Sequence, residues 1–233
     1  MGGQLNTALN NMKKIILAID EIENLEDALA LVKKVGHLVY AIKIHNLYDK
    51  FGPDVVASLK EAGAEKVWVD FKLYDIPNTG KLRTENINAD IISVHASGGM
   101  KMMKEAVSSG KEIFAVTMLT SFSKDEVKQI YNREVDEVVL VLARMAKDSG
   151  VAGIVCSPQE LKMLRSFPEL KDLKLVVPGI RSAGVETNDQ NRVSTPAEAI
   201  LNGADYLVIG RQVTQSQDPE VELVKILEEI NLN

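Results

Sequence analysis

Short runs of β-branched and apolar residues recur along the chain, separated by longer stretches in which apolar positions return every three or four residues. Alternation of these two periods predicts parallel strands buried on both faces by crossover helices. The strand-like runs are Ile15–Ile19, Val39–Ile44, Val67–Phe71, Ile91–Val94, Ile113–Thr117, Gly153–Cys156, Lys174–Val177 and Tyr206–Ile209. Between the first two, Asn24 precedes Leu25, Ala28, Leu29, Val32 and Val35, a cap followed by one apolar helix face. Similar helices are predicted over Asp54–Ala62, Met100–Ser108, Lys124–Ser149, Pro158–Ser166, Pro196–Asn202 and Pro219–Ile230. The third crossover, Lys81 to Asn88, is short and polar, and its pattern barely supports a helix.

Eight strand-helix units close into a (β/α)8 TIM barrel of the α/β class rather than an open sheet. A chain of 233 residues with 45% hydrophobic content suits one domain spanning residues 1–233. Such a barrel gathers the loops that follow its strands on one face, where chemistry is carried out.

At those strand ends charges converge. The first strand runs into Asp20, the second carries Lys43, and the third runs into Asp70, Lys72 and Asp75. Period-two alternation is expected to point Asp70 and Lys72 to one side and Phe71 away, with Lys43 approaching from the neighbouring strand. Ordinary solvated ion pairs would explain any one of these residues. Five charges on three consecutive strands favour a site that uses their field, because burying them is costly.

Beyond the seventh strand stands Pro178-Gly179-Ile180-Arg181, and beyond the eighth Gly210-Arg211. Glycine lets backbone approach an anion and arginine grips phosphate through paired hydrogen bonds. These two loops are the habitual phosphate site of the fold. Ser182 to Arg192 is polar without an apolar period, and either a lid or a solvated connection fits it.

Composition narrows the partners. A net charge of −6, with 27 basic and 33 acidic residues and no basic block, argues against nucleic acid. The single cysteine, Cys156, suits a reducing cytoplasm, and Met1 to Met12 lacks the apolar core of a signal peptide. No run reaches the roughly 18 apolar residues of a membrane span. Trp68, Cys156 and the Met100, Met102 and Met103 group read as packing residues, and His95 as a structural hydrogen-bonding group. His37 and His45 show no matching partners in the pattern.

The stretch Asp70-Phe71-Lys72-Leu73-Tyr74-Asp75-Ile76-Pro77-Asn78-Thr79 resembles the signature of the orotidine 5'-monophosphate decarboxylase family. So, in order, do Leu17 to Asp20, Ile42-Lys43, Val94 to Gly99, Val116 to Ser121, Pro178 to Arg181, Asp189 to Arg192 and Ile209 to Arg211. The resemblance runs from about residue 15 to 220 and implies loss of CO2 from a pyrimidine nucleotide, without metal or cofactor.

By that resemblance Lys72 is the catalytic lysine that protonates C6 and Asp70 the carboxylate set against the substrate carboxylate. Lys43 orients Asp70 and meets the ribose, as does Asp20. Asp75, with Ile76 and Thr79, is implied to reach the other subunit's site in a homodimer. Arg211 and the Gly210 amide hold phosphate, Gln190 bridges phosphate and base, and Thr120, Pro178 and Arg181 are further ligand positions.

The sequence departs from the family pattern at Ile44-His45, where Gly is usual, and at Gln212, where Pro is usual. Its segment Gly80 to Asp90 is short and polar. Two other readings stand beside the decarboxylase. One is a magnesium-dependent sugar-phosphate lyase of the same superfamily, which shares the Asp-x-Lys-x-x-Asp core; the other is a barrel that binds nucleotide without catalysis.

Overall fold

Each strand is apolar on both faces, and the computed structural model, which describes residues 13–184 and 193–231, shows where the two faces go. Strands β1 (Ile15–Ala18), β2 (Ala41–Ile44), β3 (Val67–Leu73), β4 (Ile91–His95), β5 (Glu112–Val116), β6 (Gly153–Val155), β7 (Lys174–Val177) and β8 (Tyr206–Ile209) form a closed parallel barrel in sequence order. Closure is made by β1 on β8, with Ile16 opposite Val208.

One set of alternate residues fills the interior: Ile16, Ala41, Trp68, Ile91, Phe114, Val176 and Val208. The other set, including Ile15, Leu17, Ile42, Ile44, Val67 and Val69, packs outward under the helices. Trp68 and Phe114 meet edge to face at 5.3 Å across the interior, the geometry that suits ring quadrupoles. The end of the barrel at the strand starts is closed by Tyr40 stacked on Tyr206 at 4.3 Å, with Lys66 bonded to both Tyr40 and Glu112. Any substrate cavity is thereby confined to the opposite end.

Helices follow from their caps and stripes. Helix α1 (Leu25–Val35) begins where the Asn24 side chain accepts from the Glu26 amide at 2.8 Å, and it buries Ala28, Leu31, Val32 and Val35. Helices α2 (Asn46–Phe51) and α3 (Asp54–Glu61) follow β2; α2 was not foreseen from the pattern, being too short to show a period.

The polar third crossover, whose pattern only weakly marks a helix over Lys81 to Asn88, forms one that starts four residues earlier, α4 (Pro77–Asn86). Its packing rests on small residues rather than an apolar stripe: a methyl group on Gly80 would stand 3.3 Å from Met102 of α5 (Met100–Val107), and Thr84 is fully buried. Pro77 in the first turn presets the backbone.

The predicted helix Lys124–Ser149 is two, α6 (Lys124–Tyr131) and α7 (Val135–Asp148). Asn132 adopts a left-handed conformation at φ 50° and ends the first, and a capping box of Glu134 and Glu137 starts the second. The remaining helices are α8 (Leu161–Arg165), α9 (Pro196–Leu201), α10 (Arg211–Thr214) and α11 (Pro219–Asn231). Among the described residues no helix is long and apolar enough to cross a membrane.

Candidate active site

Two residues beyond the interior apolar layer, the inward positions turn polar on three adjacent strands, β2, β3 and β4. Trp68 is followed by Asp70, Ala41 by Lys43 and Ile91 by Ser93, so the strand period itself stacks a charged layer on the hydrophobic one. Asp70 is 5% exposed, Lys43 7% and Ser93 0%, which places this layer inside the barrel mouth rather than on its surface.

Asp70 is the hub. Its Oδ2 accepts from Lys72 Nζ at 2.8 Å and from Lys43 Nζ at 3.1 Å, while Oδ1 accepts from the Ser93 hydroxyl at 2.6 Å. Lys43 also donates to Asp20 and lies 5.7 Å from the Trp68 ring centre. Burial alone would raise the Asp70 carboxyl, but Lys43, Lys72 and Ser93 outweigh it and hold the group far below the usual carboxylate range. For Lys43, burial would lower the ammonium, yet Asp70 and Asp20 raise it above its ordinary value. At neutral pH Asp70 is therefore a carboxylate and Lys43 an ammonium. His95 at the end of β4 is held below its ordinary value by burial and by Lys72, so a neutral imidazole faces the cluster. It packs edge-on against Tyr74 at 6.0 Å.

Plain alternation does not set the Asp70–Lys72 geometry, contrary to expectation. The β3–β4 register shifts between Val69 and Leu73, and Lys72 inside that stretch has φ 49°. A left-handed lysine is unfavourable by about 1 kcal/mol or more, a strain that persists where the surroundings over-determine it. Lys72→Gly is accordingly expected to exceed Lys72→Ala in stability by about 1 kcal/mol. Urea denaturation of the two variants measures this, and equal midpoints would mean that the backbone there is unstrained.

Two cavities adjoin the cluster. One of about 170 Å³ is lined by Lys43, Asp70, Lys72, Thr120, Cys156 and Pro178, a mixed wall suited to a planar heterocycle beside charged groups. The other, of about 160 Å³, is lined by Asp20, Lys43, Pro178, Arg181, Gly210 and Arg211, among others. Lys43, Pro178 and Val208 border both, so one elongated ligand can span them. Asp20, which lines the second cavity, has a buried Oδ1 without a hydrogen-bond partner among the described residues, an acceptor left to be satisfied.

Of the residues singled out in the sequence, Lys43, Asp70, Lys72, Asp20, Thr120, Pro178, Arg181, Gly210 and Arg211 converge on these cavities. Arg181 is 7% exposed and donates to the Ile180 carbonyl at 2.7 Å; Arg211 opens α10 and pairs through Nε with Glu21 at 3.2 Å. Three residues do not converge. Asp75 accepts from the Ile76 amide at 2.8 Å in the turn after β3, Ile76 is 67% exposed, and Thr79 borders an outer groove with Tyr48, Phe71 and Arg83. Gln190, with most of the suggested lid, lies outside the described residues.

Other residues of the site escaped the sequence reading. Ser93 carries no charge and no motif; only its place two residues after an inward Ile91 could have flagged it. His45 sets Nδ1 2.8 Å from the Asp70 carbonyl oxygen, so the departure at that position braces β3 beside the cluster. Gln212, the second departure, accepts from the Ser182 amide at 3.0 Å and donates to Ser182 Oγ at 2.8 Å and Glu222 at 2.9 Å. It ties the loop after β7 to α11, which proline could not do.

The model of the Orotidine 5'-phosphate decarboxylase / HUMPS family matches residues 13–226. A protein of Vibrio cholerae serotype O1 (strain ATCC 39541 / Classical Ogawa 395 / O395) named orotidine 5'-phosphate decarboxylase is 42% identical over 233 residues, covering 95% of this chain and 98% of that one. One of the same name from Syntrophomonas wolfei subsp. wolfei is 38% identical over 239 residues, covering 94% and 98%. Among solved structures, orotidine 5'-phosphate decarboxylase from Lactobacillus acidophilus superposes with a TM-score of 0.78 at 32% identity, covering 94% of this chain and 99% of that one.

Proposed function

The chain belongs to the Orotidine 5'-phosphate decarboxylase / HUMPS family, and we propose that its reaction is decarboxylation of orotidine 5'-monophosphate to uridine 5'-monophosphate in pyrimidine biosynthesis. The observation that carries this reading is the Asp70 carboxylate held between Lys43 and Lys72 beside a second cavity bearing Arg181 and Arg211.

The pyrimidine occupies the cavity lined by Thr120 and Pro178, and the phosphate the one lined by Gly210 and Arg211, with Arg181 as a further contact. Asp20 and Lys43 bind the ribose hydroxyls. When the bond from C6 to the carboxylate breaks, its electron pair stays on C6 and CO2 leaves. The Lys72 ammonium stabilises that carbanion and then gives it a proton, and the amine is reprotonated from water. In a dry site a fixed charge acts far more strongly on developing charge than in water. Asp70 faces the departing carboxylate and keeps Lys72 in place. Phosphate contacts remote from C6 hold the reacting end in position.

One barrel domain supports the whole site. Tyr74 and Ile76, 64% and 67% exposed on either side of Asp75, suit contact with a second copy in a homodimer. There Asp75, Ile76 and Thr79 would complete the neighbouring site. A lone buried Cys156 fits a cytoplasmic enzyme acting on a small nucleotide, with neither nucleic acid nor membrane as partner.

The magnesium-dependent lyase reading fits the donor set less well. Both Asp70 oxygens are engaged, and a cation there would face two ammonium groups within hydrogen-bond reach. Purified protein is expected to lower the ultraviolet absorbance of orotidine 5'-monophosphate at the same rate with and without excess chelator. Loss of activity in chelator, restored by magnesium, would return the lyase reading.

A further inference from the structure

Lys72 lies where the β3–β4 ladder is interrupted, and its amide finds its partner in a side chain: Ser93 Oγ accepts it at 3.0 Å. The same hydroxyl donates to Asp70 Oδ1 at 2.6 Å. A serine hydroxyl has one proton to give and lone pairs to receive, so a single atom serves both neighbours. Ser93 is fully buried, and no water is needed to satisfy either group.

We propose that Ser93 is a positioning residue for the decarboxylation, joining the Asp70 carboxylate to the left-handed Lys72 backbone and thereby fixing where the ammonium group stands. Asp70 Oδ2 is shared by the two lysines, and the bond at Oδ1 stops the carboxylate from rotating about its last torsion. Removal of the hydroxyl leaves the partly buried Lys72 amide and a buried carboxylate oxygen short of partners, and both relax together. A displacement of the reacting group by about 1 Å can cost on the order of 100-fold in rate.

The inference rests on the decarboxylase reading and is tested in the full-length chain with Ser93→Ala, Ser93→Cys and Ser93→Thr. The expected order of kcat is serine, threonine, cysteine, alanine, with alanine down by about 100-fold. Affinity for uridine 5'-monophosphate stays within about threefold, since the phosphate and ribose contacts are untouched. Retained turnover in Ser93→Ala, cysteine equal to serine, or a matching loss of nucleotide affinity would overturn it. Amide hydrogen exchange at Lys72 gives a readout independent of activity: protection in the wild type that falls in Ser93→Cys supports the proposal, and unchanged exchange contradicts it. A wild type without turnover would sink the decarboxylase reading instead, and leave the exchange result to judge Ser93. Were Ser93→Ala not to fold, the cysteine and threonine variants decide by the same order.

Discussion

Lys72→Ala is expected to lower kcat by at least about 10⁴-fold while the barrel stays folded. An ammonium about 4 Å from a full carbanion contributes roughly 4 kcal/mol at an effective dielectric constant near 20, or about three orders of magnitude in rate. Loss of the proton donor adds to this, because general acids commonly contribute 10²-fold or more, as an order of magnitude. Stability should change little, since Asp70 keeps Lys43 at 3.1 Å and Ser93 at 2.6 Å and is not left unpaired. Steady-state kinetics with a thermal melt checks both parts. A fall of less than about tenfold would remove Lys72 from the chemistry.

Asp70→Ala is expected to reach further, because its target is the hub. Lys43 is 7% exposed, and without Asp70 its charge is left with Asp20 alone. Removal of one partner from a buried pair costs about 3–5 kcal/mol, and the lower end applies here because Lys72 can turn to solvent. For a chain of this size that corresponds to a melting temperature lower by roughly 6–12 °C. Catalysis is lost as well, since Lys72 loses its anchor at 2.8 Å.

The pH dependence has a definite sign. The folded Asp70 carboxyl is depressed, so its contribution is complete above the unfolded carboxylate value near about 4 and is lost as pH falls below that toward the folded value. Lys43 is raised, so its contribution is complete below the unfolded value near about 10 and is lost as pH climbs through the folded one. The wild type should therefore gain stability over Asp70→Ala across the range between, with the difference shrinking in acid. Urea midpoints at several pH values measure it, and a difference that grows on acidification would contradict the assignment.

The barrel was legible because each strand carries two apolar faces and each long crossover one, patterns that survive without tertiary context. What the pattern marked only faintly or missed was decided by contacts distant in sequence or by single backbone conformations. Helix α4 forms because Gly80 and Thr84 fit against Met102, which no local period records. The break at Asn132 needed a left-handed residue to be recognised inside an otherwise continuous helical pattern. In the site, the charged residues announced themselves at strand ends, while Ser93 and His45 did not, since their importance comes from bonds to Asp70 across strands. The approach of Lys72 to Asp70 was foreseen for the wrong reason: a bulge with positive φ, not simple alternation, sets it.

The most direct test follows the carboxyl carbon itself. Purified protein incubated with orotidine 5'-monophosphate labelled with carbon-13 in the carboxylate should release the label as CO2 and bicarbonate, with one uridine 5'-monophosphate formed per label lost. Label that stays on a nucleotide which nonetheless binds would contradict the account and leave a barrel that recognises the ligand without transforming it.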